Sequence, residues 1–223
     1  MATYVQTIAL SIHLIRINSA DIFREDYITF GKDRCSRGRG VFICFKKLHR
    51  FRVLWTDEVF EMIAVEVKGR TSKFAWEVVG VYRAPNEDMR VIERSAARTE
   101  LTGNSTKRSI NGGDLNLPYA DRNGNAGGNI GTQALIESLV WENGYSQLID
   151  SPTRGDALLD VYLVRAESSV TSSGIVQGVS DQLAVILEVE WEDTCTEPQI
   201  ERVVPVYNKT DVSGLQIFLR INL

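Results

Sequence analysis

Cysteine and histidine are scarce in this 223-residue sequence, and each scarcity narrows the chemistry open to it. The three cysteines, Cys35, Cys44 and Cys195, are odd in number and form no C-x-x-C pair, which argues against a disulfide framework and against a zinc site. A reducing compartment, nucleus or cytoplasm, is the expected setting. No apolar run approaches the roughly 20 residues of a membrane-spanning helix. The apolar start, Met1 to Ile15, lacks a basic leader, so secretion is not expected either. The Asn-x-Ser/Thr triplets at Asn104 and Asn208 are read as chance matches, since they matter only in a secreted protein.

What is present suits a soluble globular domain: 43% hydrophobic and 24% charged residues, in a chain long enough to bury a sizeable core. The net charge of -4 conceals an asymmetry. Residues 1–110 hold 19 Lys and Arg against 13 Asp and Glu, and residues 111–223 hold 6 against 16. Such a division suits a first half that faces a polyanion and a second that holds cations, although exposed charge is as often a solvated surface.

Short apolar stretches separated by turn signals recur at Gly40–Phe45, Phe51–Trp55, Val59–Val67, Phe74–Tyr82, Ala157–Val164 and Leu183–Trp191, and these are read as strands. Two helices are expected among them. One covers Glu87–Leu101 behind an Asn86 N-cap, and the other runs from about Thr132 to Asn143 with Gly144 as its stop. Few helices among many strands predict an α+β fold, a two-sheet β-sandwich flanked by helices. From Glu192 the chain turns polar, with Pro198 and Pro205, so a domain is expected over 1–192 and a linker or tail over 193–223.

The chemistry-bearing residues lie in turns at strand ends. Gly112-Gly113-Asp114-Leu115-Asn116 reads as a strand entering a glycine-permitted turn, with Asp114 and Asn116 two residues apart on one side. Their oxygens can jointly hold a nucleophilic water or a hard cation, although Gly-Gly-Asp also builds ordinary turns. Asp160, inside the apolar stretch Leu158–Leu163, needs a partner that an imidazole can supply. Asp181 stands at the mouth of the last strong strand, and Tyr82 puts a phenol at a strand end, where core or turn roles are also common. The Asp121-x-Asn123-x-Asn125 stretch begins like an EF-hand loop but has Ala126 for the required Gly and Thr132 for the terminal Glu, so it is read as a polar loop.

Taken in order, Val81-Tyr82-Arg83-Ala84-Pro85-Asn86, Gly112-Gly113-Asp114-Leu115-Asn116-Leu117-Pro118, Ser151-Pro152-Thr153-Arg154, Leu159-Asp160-Val161 and Ser180-Asp181 resemble the endonuclease/exonuclease/phosphatase superfamily. With Tyr27-x-x-Phe30 and the following Lys32 to Val41, the details are similar to the apurinic-type endonuclease domain of non-LTR retrotransposons, over roughly Ser19 to Trp191. The resemblance implies a DNase I-like sandwich and Mg2+-dependent cleavage of DNA that leaves a nick with a free 3′-hydroxyl. It also implies roles. Asp114 and Asn116 would orient the attacking water and the phosphate, Tyr82 would contact the scissile phosphate, Asp181 would bind Mg2+, and Asp160 would orient a histidine following Asp181. Thr153 and Arg154 would lie at the DNA-contacting surface.

Two departures from the pattern bear on activity. Gln182 stands in place of the family's histidine, and a carboxamide hydrogen-bonds but does not exchange a proton near neutral pH. The front differs as well: Val5-Gln6-Thr7 lacks the metal-binding Glu of the family's Gln-Glu-Thr segment, and the strand that should precede it is absent. The expectation is therefore an N-terminally truncated copy with impaired cleavage, whose tail leads toward a missing reverse transcriptase. The rival expectations are a non-catalytic DNA-binding remnant or a translated relic, and a phosphatase or phosphodiesterase of the same fold.

Overall fold

The computed structural model describes residues 4–11, 27–33, 40–47, 49–69, 75–85, 90–102, 108–116, 144–165, 170–176 and 184–191. Strands β1 (Tyr4–Ser11), β2 (Tyr27–Asp33), β3 (Gly40–Lys46), β10 (Val170–Val176) and β11 (Ala184–Trp191) form one sheet in the order β10-β11-β1-β3-β2. Strands β4 (Arg50–Thr56), β5 (Glu61–Lys68), β6 (Ala75–Tyr82), β7 (Arg108–Asp114), β8 (Ser146–Gln147) and β9 (Asp160–Arg165) form the other, in the order β4-β5-β6-β7-β9-β8. Every described pairing is antiparallel except β6 with β7, whose connection includes helix α1 (Arg90–Thr102). That exception follows from chain geometry, because parallel neighbours need a crossover long enough to return to the same end of the sheet.

Alternation along the strands sorts side chains into two cores. Ile63, Val65 and Val67 of β5, Trp76 and Val78 of β6, Ile110 of β7 and Tyr162 and Val164 of β9 meet Val41, Ile43 and Phe45 of β3 and Val185, Leu187 and Val189 of β11 between the sheets. The sheets approach closely there: a Cβ on Gly80 would lie 2.8 Å from Val41 Cγ2. The alternate residues Met62, Ala64, Val79, Val81, Val161 and Leu163 form the second core on the outer face, with Val91 of α1. Because both faces of β5, β6, β7 and β9 are covered, these strands read as near-continuous apolar runs.

Asp57 fastens α1 at the β4–β5 turn. Its Oδ1 accepts the N–H groups of Val59 and Phe60 at 2.9 and 3.1 Å, and its Oδ2 pairs with Arg94 Nε at 2.6 Å and Arg98 Nη2 at 3.6 Å. The same arginines lie over the rings of Phe60 and Trp55.

The fold is the expected two-sheet sandwich with a flanking helix. Tyr4–Ser11 is a full strand in the middle of the first sheet, paired with β11 on one side and, through Leu10 and Ser11, with β3 on the other. The expected helix over Glu87–Leu101 is seen from Arg90. Its Asn86 cap, the second helix, the Asp121–Asn125 loop and the tail all lie outside the described residues. No helix among the described residues is long and apolar enough to cross a membrane.

Candidate active site

The site is built where β6 and β7 end and β9 begins. Residues 76 to 80 of β6 pair in parallel with 108 to 112 of β7, so Tyr82 and Asp114 finish their strands side by side. The antiparallel register of β7 and β9 then sets Asp114 opposite Asp160. Both aspartates have the parity of the inter-sheet residues, as does Tyr162, whose ring covers Gly112. A Cβ on Gly112 would fall 2.4 Å from Tyr162 Cδ1, so only glycine leaves the ring room.

Past Asp114 the chain makes a turn whose shape is fixed from several sides. Gly113 has φ 148° and Asn116 has φ 47°, both outside the range L side chains prefer. For Asn116 this left-handed conformation costs on the order of 1 kcal/mol, which the surrounding bonds must offset. They are numerous. The Asn116 N–H donates to Asp114 Oδ1 at 3.0 Å, and its side-chain Nδ2 donates to the Arg83 carbonyl at 2.7 Å. The Arg83 N–H donates to the Asp114 carbonyl at 2.9 Å, while Arg83 Nη1 donates to the carbonyls of Leu115 and Asn116 at 3.1 and 3.2 Å. Leu115 N–H closes the other side on the Leu159 carbonyl at 3.0 Å.

Asp160 is held by a second turn. The Thr153 hydroxyl oxygen accepts the N–H groups of Leu159 and Asp160 at 3.1 and 3.2 Å, and the Thr153–Ala157 backbone closes on itself beneath it. Burial pushes the Asp160 carboxyl up to about 6. A hydrogen bond from the Thr153 hydroxyl opposes that rise, and the charge of Asp114 adds to it. Asp160 Oδ2 is buried with no hydrogen-bond partner among the described residues. The Tyr162 phenol is held well above its ordinary value by burial and then by the charges of Asp160 and Asp114.

Of the residues singled out in the sequence, Asp114, Asn116 and Asp160 come together at this corner. Tyr82 ends its strand beside them, but it is only 2% exposed and belongs to the inter-sheet core. Thr153 is fully buried and Arg154 is exposed, so of that pair the threonine acts from inside, shaping the Asp160 turn, and only the arginine faces outward. Asp181 and Gln182 lie outside the described residues. Sequence reasoning missed Arg83, which is 8% exposed. Its signal was an arginine next to the strand-end tyrosine, within a stretch otherwise committed to the core.

Asp114 and Asp160 offer negative charge and hard oxygen atoms of the kind Mg2+ takes. Among the described residues, however, no group of three His, Cys, Asp or Glu side chains is placed to hold a metal. These residues fit the edge of a cation site rather than a complete ligand set.

No protein-family model matches the sequence, and no curated protein does. Solved structures do match. The endonuclease domain of TRAS1, a telomere-specific non-LTR retrotransposon, superposes with a TM-score of 0.58 at 16% identity, covering 75% of this chain and 79% of that one. An AP endonuclease from Archaeoglobus fulgidus gives 0.58 at 13% identity, covering 77% and 82%. D. rerio TDP2, complexed with a single-strand DNA product, gives 0.55 at 10% identity, covering 81% and 84%. The strand order, the two covered faces and these superpositions agree: the chain has the DNase I-like fold of the endonuclease/exonuclease/phosphatase superfamily.

Proposed function

We propose that this protein is a Mg2+-dependent DNA endonuclease domain of the non-LTR retrotransposon type, with cleavage weakened in this copy by Gln182. The observation that carries the reading is Asp114 facing Asp160 across β7 and β9, beside the Asn116 turn.

In the reaction, Asp114 acts as an acceptor. Its carboxylate, fixed through Oδ1 to the Asn116 N–H, takes a hydrogen bond from the attacking water and aims the water's lone pair at phosphorus. Asn116, its amide nitrogen committed to the Arg83 carbonyl, presents Oδ1 as the remaining polar atom. Asp160, with a carboxyl titrating at about 6, is poised to hold or release a proton near neutral pH. Asp181 would hold Mg2+, which when bound would supply positive charge against the phosphate oxygens. Gln182 contributes hydrogen bonding alone where an imidazole would also carry a proton.

The test is nicking of supercoiled plasmid with and without Mg2+. Wild type is expected to nick slowly, Gln182→His to nick about 10²–10⁴-fold faster, and Asp114→Ala to abolish nicking in both backgrounds. Rapid wild-type cleavage that Asp114→Ala abolishes would sink the impaired-copy part. A Gln182→His protein that binds DNA but never nicks it would sink the nuclease reading itself.

A further inference from the structure

We propose that Arg83 is the positioning residue of this site, holding Asn116 in its left-handed conformation and so setting where Asp114 and Asn116 present their oxygens. The inference rests on the nuclease reading only for its kinetic consequence. Its structural content stands on the hydrogen bonds alone.

Arg83 and Asn116 are 33 residues apart, yet they grip each other reciprocally. Arg83 Nη1 supplies hydrogens to two successive carbonyls, Leu115 and Asn116, and the Asn116 side chain returns a hydrogen bond to the Arg83 carbonyl. The Arg83 N–H adds a fourth link, to the Asp114 carbonyl. An ordinary tight turn satisfies its carbonyls within itself or in water. Here two consecutive carbonyls of the turn converge on one guanidinium nitrogen, an arrangement that accompanies the helical-range backbone at Asn116, in its left-handed form at φ 47°. A cation buried behind the turn also favours carbonyl oxygens turned inward, leaving the side chains of Asp114 and Asn116 as the groups available to a substrate. Arg83 touches no reacting atom in this arrangement. It acts through Asn116.

The experiment uses the full chain in wild-type and Gln182→His backgrounds, each with Arg83→Met, which keeps stem volume but removes the donors, and Arg83→Lys, whose ammonium can span two carbonyls. Hydrogen exchange of the Asn116 side-chain amide, followed by 15N-resolved NMR, reads the lock directly. Slow exchange is expected in wild type, fast exchange in Arg83→Met, and intermediate exchange in Arg83→Lys. In the Gln182→His background, kcat for nicking is expected to fall about 10–100-fold with Arg83→Met at a KM for DNA changed by less than about twofold, with partial recovery in Arg83→Lys. Unchanged amide exchange in a folded Arg83→Met protein would overturn the proposal, as would a raised KM at constant kcat, which would make Arg83 a DNA-binding group. If no variant cleaves DNA, the function reading fails while the amide exchange still decides Arg83. If Arg83→Met does not fold, the comparison of Arg83→Lys with wild type decides it.

Discussion

Asp57 and Asp160 are two carboxylates at the ends of the same sheet, and the protein treats them in opposite ways. Around Asp57, burial raises the carboxyl, but the N–H groups of Val59 and Phe60 and the guanidinium of Arg94 outweigh it and hold the group below its ordinary 3.8. Around Asp160, burial raises the carboxyl, a hydrogen bond from Thr153 only partly opposes it, the charge of Asp114 adds to the rise, and the group reaches about 6. A carboxylate supplied with cations and backbone donors stabilises the fold that surrounds it. One buried beside a like charge costs stability, and such a cost persists where a reaction or a bound cation uses it. Chemistry is therefore to be sought at the β7–β9 corner, not at the helix clamp, although the clamp has more charged groups.

The largest effect that tests this contrast is on stability at the clamp. Asp57→Ala is expected to lower the unfolding free energy by about 2–3 kcal/mol in urea denaturation, because it removes the side-chain acceptor of two backbone N–H groups and leaves Arg94 and Arg98 without their shared partner. A loss under about 0.5 kcal/mol would show that the clamp is decorative. Next comes pH. Asp160 keeps its proton in the folded state at pH values where the unfolded chain has released it, so wild-type stability, measured in EDTA, should fall by about 2 kcal/mol as pH rises from 3.8 to about 6, and stay flat above. Asp57 has the opposite sign. Its contribution is present above 3.8 and is lost as pH falls through its lowered value. Asp160→Asn should flatten the upper window alone; a curve unchanged there would mean that Asp160 is not the group responsible. The smallest effect is at Arg98, 3.6 Å from the Asp57 carboxylate and lying over Trp55. Arg98→Ala should cost about 1 kcal/mol or less by the same denaturation, since this pair is partly exposed and screened.

Most strands were legible because burial on both faces produced uninterrupted apolar runs, as in Val78–Tyr82 and Val161–Val164. Boundaries failed where a side chain captured the backbone. Val59 and Phe60 look like strand but donate to Asp57, and Leu158 and Leu159 look like strand but sit in the turn closed by Thr153. β10 was not read at all, because Thr171, Ser172, Ser173 and Gly174 lie exposed on an edge strand and carry no apolar period. At the site, Asp114, Asn116 and Asp160 were legible as polar residues inside apolar or glycine-rich stretches. Arg83 left only the faint signal of a cation in a core-committed stretch, because its task is to bind carbonyl oxygens that every residue possesses, and side-chain types do not name those partners. The burial of Thr153 was hidden for a related reason: a hydroxyl beside an exposed arginine gives no sign in sequence of which way it turns.

Gly112 has a consequence beyond its contact with Tyr162. β7 and β9 can in principle slide along one another, and each step would change what stands opposite Asp114. A slip of one residue would turn Asp160 to the helix side of the sheet. A slip of two would leave the Tyr162 ring against Ile110 or Asp114 and the hollow at Gly112 filled by nothing of its shape. The missing side chain at 112 and the ring at 162 therefore work as a key cut for one alignment, and that alignment is the one in which the two carboxylates meet.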